Sequence, residues 1–588
     1  MTILRSRIVA ALALGAAAAS AQVPSNKPST ARLAYPDTRE SAQVDTLHGQ
    51  AVADPYRWLE DVDSPETKAW VEAQNKVTFG YLETLPERKM IRERLTQLWN
   101  YPRVGVPSKD GNYTFWTENS GLQNQSVLYV REGRSGQARV LIDPNTLSTD
   151  GTAALAGGGR SRDGRLYAYS VAQKGSDWTT MYVKDVATGR DLSDTLQWLR
   201  GSGASWTNDA KGFFYVRYPQ QEGNRHVTVT RNPAVYYHRL GTPQSGDVLV
   251  YERPDQPEWY LGAGVTEDGR YLLVNASKGT ESKNRIWYAD LGDPKAPNVR
   301  APIQAMFVEG DASYNLVDND GSTFYMVTDR DAPRSKLVAF DVARPDAWRT
   351  VVPESKDNLT GADVAGGKLV LFYLADAKSD VRFVTKDGRE AGSLPLPGIG
   401  SVGGFSAKED ESEVYYSFSS FVYPSTTFRY DLKAGTNEVF KAPAVKFDVS
   451  KYETKQVFYT SRDGTRVPMF ITMRKGTKLD GNNPTLLYAY GGFDIATLPG
   501  FSPANLVWLE LGGVYAVANI RGGGEYGKAW HEAGMFEKKQ NVFDDFIGAA
   551  EYLVREKVTS PAHLAISGRS NGGLLIGAAI TQRPELFR

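Results

Sequence analysis

Leu564-Ala-Ile-Ser-Gly568-Arg-Ser570-Asn-Gly572-Gly-Leu-Leu-Ile-Gly-Ala-Ala579 is the stretch that decides how this chain folds. Leu564 to Ile566 reads as a buried strand. Leu574 to Ile580 reads as a helix packed from Gly577 and Ala578 onward. Between them lies Gly568-x-Ser570-x-Gly572. Strand, G-x-S-x-G, helix is the context that makes this pattern a nucleophile elbow. The glycines permit a turn too tight for side chains at its flanks. That turn lifts the Ser570 hydroxyl off the backbone and aims a helix N-terminus at it. The plainer alternative is a glycine-rich turn carrying an ordinary serine. The pattern is weak alone and strong with both flanks in place.

At such an elbow the partners follow in the order Ser, then Asp or Glu, then His. Only eighteen residues follow Ser570, too few to hold both. The expectation is therefore an enzyme whose C-terminal piece is missing.

Composition narrows the rest. The 588 residues leave room for more than one domain. Many aromatics and glycines suit short strands and tight turns. Lys plus Arg equals Asp plus Glu, 68 each, so charge gives no reason to expect nucleic acid or an acidic membrane as partner. With no Cys, disulfides, thiolate zinc sites and cysteine nucleophiles are excluded. Five His and no H-E-x-x-H pair predict no metal site.

Residues 1–21 read as a signal peptide. Arg5 and Arg7 precede a short apolar run, Ile8 to Ala18, and Ala19-Ser20-Ala21 is a cleavage site. The run is too short to span a bilayer. An uncleaved anchor or a buried N-terminal helix is the alternative. Export to the periplasm, or secretion, is expected. No membrane association is expected after cleavage.

Residues 22–102 predict two amphipathic helices that pack on something larger, the hydrolase domain. The first has Ser64 as N-cap, Pro65 at its first position and Trp70, Ala73 and Val77 on one face. The second runs from about Pro86 to Trp99 and ends before Pro102. Across 103–445 a polar turn followed by an aromatic or β-branched strand recurs. Copies begin at Ser108, Ser161, Thr207 and Thr266, with weaker ones near Asp318, Gly366 and Ala407, spaced by 41 to 59 residues. That period, all strand and turn, predicts a seven-bladed β-propeller. A stack of β-sandwiches fits the near-even spacing less well.

From 446 to 588 strands alternate with helices, which predicts a mostly parallel, doubly wound α/β sheet. Phe458 to Phe470 reads as a hairpin about Asp463-Gly464. Pro484 to Tyr490 and Val514 to Ile520 read as strands that end in glycines. Asp544 and Asp545 are expected to open a helix.

A serine attacks only when a base takes its proton and donors receive the oxyanion. Loss of one such donor costs about 3–4 kcal/mol of transition-state stabilisation. The Asn571 N–H is one candidate donor. The Tyr490 phenol, at another strand end, is a second, although an interfacial aromatic with a solvated hydroxyl is also open. Gly522-x-Gly524-x-x-Gly527 resembles a dinucleotide loop, but the helix and the acid are misplaced for one. A tight loop beside the site fits better. His563 lies at the wrong end of its strand to be the base. His531 sits in a polar segment, and His48, His226 and His238 are expected to be structural or surface residues. Asp494, Asp544 and Asp545 all precede the serine.

Several runs together carry a resemblance. They are Asp54-Pro-Tyr-Arg-Trp-Leu-Glu-Asp61, Val71-Glu-Ala-Gln-Asn-Lys76, Gly121-Leu-Gln-Asn-Gln125, Gly175-Ser-Asp-Trp178 and Tyr218-Pro-Gln-Gln221. Tyr488-Ala-Tyr-Gly-Gly-Phe493, Ala518-Asn-Ile-Arg-Gly-Gly-Gly-Glu-Tyr-Gly527 and the elbow complete the set. The chain closely resembles the prolyl oligopeptidase family over nearly its whole length after the signal peptide. The resemblance implies a seven-bladed β-propeller over an α/β-hydrolase domain. It implies Ser570 as nucleophile, Tyr490 and Asn571 as oxyanion donors, and Phe493 as one wall of the proline pocket. It implies short proline-containing peptides as substrates, a propeller that limits their size, no cofactor and a monomer. The family's catalytic Asp and His, its pocket Trp and its substrate-binding Arg lie beyond Arg588. The chain as given is accordingly expected to be nearly inactive and poorly soluble. A non-enzymatic propeller scaffold and an oligopeptidase with a different P1 preference are the rival readings.

Overall fold

The computed structural model describes residues 33–220 and 230–588. The signal-peptide reading of residues 1–21, and His226, fall outside them. Among the described residues no helix is long and apolar enough to cross a membrane.

The stretch up to Arg92 forms a compact unit of its own. It holds a hairpin, Val44–Leu47 with Gln50–Ala53, and the helix Pro65–Glu83. Ser64 caps that helix, its Oγ accepting from the Thr67 N–H at 3.2 Å, with Pro65 following where no N–H is needed. Trp70, Ala73 and Val77 lie half-buried along it.

Among the described residues, Arg103 to Lys441 form seven antiparallel sheets. Six have four strands. The first has a fifth, short strand, Ser108–Asp110. This is the seven-bladed propeller that the repeat predicts. The recurring turn has a physical basis. Ser161 Oγ donates to Asp163 at 2.6 Å and accepts from the Leu166 N–H at 3.0 Å. Thr266 repeats both bonds with Asp268 and Tyr271, at 2.6 and 3.0 Å. Thr207 makes the first of them to Asp209 at 2.7 Å. Each hydroxyl–carboxylate pair closes the turn between the first two strands of a blade.

The aromatic strand that follows packs against the next blade. Tyr271 meets Phe324 edge-on at 5.2 Å, and Phe307 stacks on Tyr314 at 4.2 Å. Every blade is cut from one continuous segment, so blade one (Arg103–Ile142) and blade seven (Ser401–Lys441) share no strand. Side chains meet across that seam. Lys408 pairs with Asp110 at 2.8 Å and Lys109 with Glu411 at 3.7 Å.

The C-terminal sheet has the strand order Tyr452–Thr460, Arg466–Arg474, Val514–Ala518, Thr485–Tyr488, Leu564–Ser567. The first two form the expected hairpin and pair antiparallel. The last three are mutually parallel. Arg466–Arg474 is buried on both faces. On one side Val467, Met469, Ile471 and Met473 pack with Leu487, Ala516 and the helix residues Phe546, Ala550 and Leu553. On the other, Phe470 and Val517 pack against Phe421 and Ala377 of the propeller. The sheet thus joins its helices to the propeller.

Three local expectations are corrected. The helix expected at Asp544 spans Gln540–Arg555, because a 3-10 turn at Phe536–Lys538 already starts the coil. Asp545 is then free to pair with Arg521 instead of capping. Among the described residues the strand Leu564–Ser567 pairs on one side only, with Thr485–Tyr488, and Ala565 is exposed. Its following helix, Asn571–Gln582, buries Leu575 and Ala579, while Leu574 and Ile580 are 57% and 48% exposed.

Candidate active site

Ser570 lies three residues past the strand Leu564–Ser567 and immediately before the helix Asn571–Gln582. Its φ is 54° and its ψ is −120°, a conformation that ordinary residues avoid. The side chain is exposed. The turn is tight because Gly568 packs directly against Gly572. A Cβ at Gly568 would sit 2.2 Å from the Gly572 carbonyl oxygen. This is the geometry of an elbow, and the oxygen is not entombed.

Tyr490 lies two residues past the neighbouring parallel strand, where Tyr488 pairs with Ser567. The two strand ends are tied together. Asn571 Nδ2 donates to the Tyr490 carbonyl at 2.7 Å. Gly491 turns the chain at φ 66°, and a Cβ there would strike Val542 at 2.6 Å. Phe493 follows at φ 56° and is half exposed beside the glycines. Ser570, Asn571, Tyr490 and Phe493 are therefore carried by adjacent strand ends.

The loop after Val514–Ala518 closes the neighbourhood. A Cβ at Gly522 would lie 2.6 Å from the Gly491 carbonyl, so the two glycine loops touch. The loop is followed only by a five-residue helix, Lys528–Glu532, and it docks on the propeller. The Gly524 carbonyl accepts from Asn358 Nδ2 at 2.7 Å, and Lys528 N donates to the Pro333 carbonyl at 2.8 Å. Its glycines serve domain packing rather than a dinucleotide.

Arg521, 4% exposed, anchors the same loop. It grips Asp545 with two side-chain bonds, 2.9 and 2.6 Å, and reaches Asp463 at 2.5 Å. Hydrogen bonding from Arg521 holds the Asp463 carboxyl down to about 2. Glu525, 1% exposed, accepts from the Thr497 N–H at 2.8 Å, and its second oxygen has no partner. Burial pushes its carboxyl up to about 7, opposed by those hydrogen bonds. The roles of Arg521, Glu525 and Lys539 escaped the sequence reading. A polar residue inside a loop carries no periodicity that marks it.

The histidines fall as follows. His531 Nδ1 lies 2.7 Å from the Gly522 carbonyl and 3.0 Å from the Asp494 N–H, so the ring is held by backbone. His563 precedes the strand Leu564–Ser567, a strand length from Ser570. His238 is buried in blade three between Asp247 at 2.7 Å and Asp194 at 3.0 Å. Among the described residues no group of His, Cys, Asp and Glu is placed to hold a metal ion.

A serine elbow at the end of a parallel strand, covered by a seven-bladed ring, defines a propeller-bearing α/β-hydrolase. Comparison with known proteins gives the family. The profile described as "Prolyl oligopeptidase, N-terminal beta-propeller domain" matches residues 36–443, and that described as "Prolyl oligopeptidase family" matches residues 499–588. The prolyl endopeptidase of Elizabethkingia meningoseptica is 44% identical over 559 residues, covering 95% of this chain and 78% of that protein. The dual function macrocyclase-peptidase POPB of Galerina marginata is 36% identical, covering 94% and 80%. Among solved structures, one from a study of two prolyl endopeptidases superposes with a TM-score of 0.88 at 41% identity, covering 94% of this chain and 81% of that one. The Galerina marginata enzyme bound to a 35-residue substrate gives 0.88 at 34% identity, covering 94% and 81%. The chain belongs to the prolyl oligopeptidase family, and it is a peptidase hydrolase of that type.

Proposed function

We propose that Ser570 is the nucleophile of an endopeptidase that cuts short peptides on the C-terminal side of proline. The observation that carries this is the exposed, left-handed Ser570 at a helix start, tied through Asn571 to the strand end bearing Tyr490. In the reaction, Ser570 Oγ bonds to the proline carbonyl carbon while its proton passes to a general base. The oxyanion is received by the Asn571 N–H and the Tyr490 phenol. The C–N bond then breaks, the leaving amine takes the proton, and water hydrolyses the acyl ester. Phe493 forms one wall for the proline ring. The propeller restricts the substrate to short peptides, and the leader at residues 1–21 directs the protein out of the cytoplasm.

The general base is not among the histidines that the described residues place in the hydrolase domain. His531, His563 and His238 are engaged or remote as described, so Met1–Arg588 on its own is proposed to be nearly inactive. The test uses the protein expressed from its whole reading frame. A fluorophosphonate probe should label Ser570, and a scan of Pro, Ala, Arg and Lys at P1 should favour Pro. Absence of labelling would point to a non-enzymatic scaffold, and a flat or basic P1 profile to a different oligopeptidase. Normal turnover by Met1–Arg588 alone would overturn the account of the base.

A further inference from the structure

Lys539 lies one residue before the helix Gln540–Arg555, half-buried beneath the elbow. Its ammonium makes two bonds. Nζ donates to the Gly491 carbonyl at 3.1 Å and to Asn571 Oδ1 at 3.3 Å. No carboxylate pairs with it among the described residues. Both acceptors are neutral, and burial without a counter-charge lowers its pKa. An unpaired, partly desolvated ammonium is an expensive way to satisfy two carbonyl oxygens. Surface stability alone gives no reason for it.

The acceptors are what give the placement meaning. Gly491 follows Tyr490, and Asn571 follows Ser570. The amide of Asn571 is used at both ends: Oδ1 faces Lys539, and Nδ2 donates to the Tyr490 carbonyl at 2.7 Å. Oxygen and nitrogen of a primary amide differ little in shape, so only their partners fix which way it points. A flipped Asn571 would set its oxygen against the Tyr490 carbonyl oxygen and push the two strand ends apart. Lys539, as an obligate donor, forbids that flip. The same ammonium holds Gly491, whose left-handed turn sets where Tyr490 and Phe493 leave the strand.

We propose that Lys539 is a positioning residue for the oxyanion site, locking the Asn571 amide and the Gly491 carbonyl so that the Asn571 N–H and the Tyr490 phenol keep their spacing. The role rests on the peptidase reading above. Both bonds that Lys539 makes end on the protein itself. It acts through Asn571 and Gly491, and its effect should appear in the transition state rather than in ground-state binding.

The test compares wild type, Lys539→Met, Asn571→Ala and the double variant, in the protein expressed from its whole reading frame. Lys539→Gln, a neutral donor of shorter reach, is read in place of Lys539→Met if the latter does not fold. Lys539→Met is expected to lower kcat between about tenfold and a hundredfold, with KM changed less than about threefold. A peptide aldehyde ending in prolinal forms a hemiacetal oxyanion on the serine. Its inhibition constant should rise by the same factor as kcat falls, while that of the matching alcohol stays unchanged. The double variant should be no slower than the slower single one. Unchanged kcat, equal losses for aldehyde and alcohol, or additive losses in the double variant would each overturn the positioning role while wild type remains an active peptidase. A wild type that neither turns over nor labels would withdraw the peptidase reading and this inference together.

Discussion

Asn358, a propeller side chain 7% exposed, donates through Nδ2 to the Gly524 carbonyl of the hydrolase domain at 2.7 Å. That bond sits on the loop whose next turn presses against Gly491. Docking of the ring and shaping of the site therefore share one loop, Arg521 to Lys528. Disturbing the interface should reach the chemistry.

Gly527 is the most exacting point of that interface. Its φ is 80°, and a Cβ would fall 2.4 Å from the Pro333 carbonyl. Gly527→Ala should destabilise the protein by about 2–4 kcal/mol, from the left-handed strain and the clash together. Thermal unfolding checks this. A change below about 0.5 kcal/mol would mean that the two domains do not close here in solution.

Arg521 and Asp545 form a buried pair, 4% and 0% exposed. Arg521→Met strands the Asp545 carboxylate and should cost about 3–5 kcal/mol. Arg521→Met with Asp545→Leu should recover most of it. Urea denaturation of the three variants gives the comparison, and a double variant as weak as the single one would refute the pairing.

Glu525 predicts a pH dependence. Its ordinary value is 4.5 and its folded value about 7. The unfolded chain gives up this proton first, so the contribution of Glu525 to stability is greatest below about pH 4.5 and falls as pH rises toward 7. The group then contributes no further slope. The loss amounts to about 3 kcal/mol. Glu525→Gln should flatten melting temperature against pH over that window. A further slope above about pH 6.5 belongs to His238. Burial lowers its pKa, but hydrogen bonding and charge from Asp247, and then Asp194, outweigh that and raise it. Its stabilisation is therefore lost as pH rises through the folded value. A Glu525→Gln profile parallel to wild type between pH 4.5 and 7 would sink the assignment.

Ser570 should trade stability for reactivity. Ser570→Ala and Ser570→Gly should both abolish fluorophosphonate labelling. Only glycine releases the φ of 54°, so Ser570→Gly should be the more stable of the two by about 1 kcal/mol after its own entropic penalty. The opposite order in calorimetry would show that the turn is unstrained.

Much of this was legible beforehand because it is periodic or local. The hydroxyl–carboxylate turns at Ser161, Thr207 and Thr266 repeat in sequence because they repeat in space, and so the ring could be counted. The elbow was legible because close packing of Gly568 on Gly572 leaves room for nothing else. What stayed hidden was long-range pairing. Asp545 looked like a helix cap, and its partner Arg521 lies 24 residues away on another element. Glu525 and Lys539 are single polar residues in loops. Only the folded chain shows that one is sealed from water and the other bridges two strand ends.

The seam of the propeller has a mechanical consequence. Blades one and seven are each complete, and among the described residues no backbone ladder stitches them. The Lys408–Asp110 and Lys109–Glu411 contacts are charge pairs that added salt screens. The ring is therefore closed at this joint by side chains alone, whereas each of its other six joints is also crossed by the chain itself.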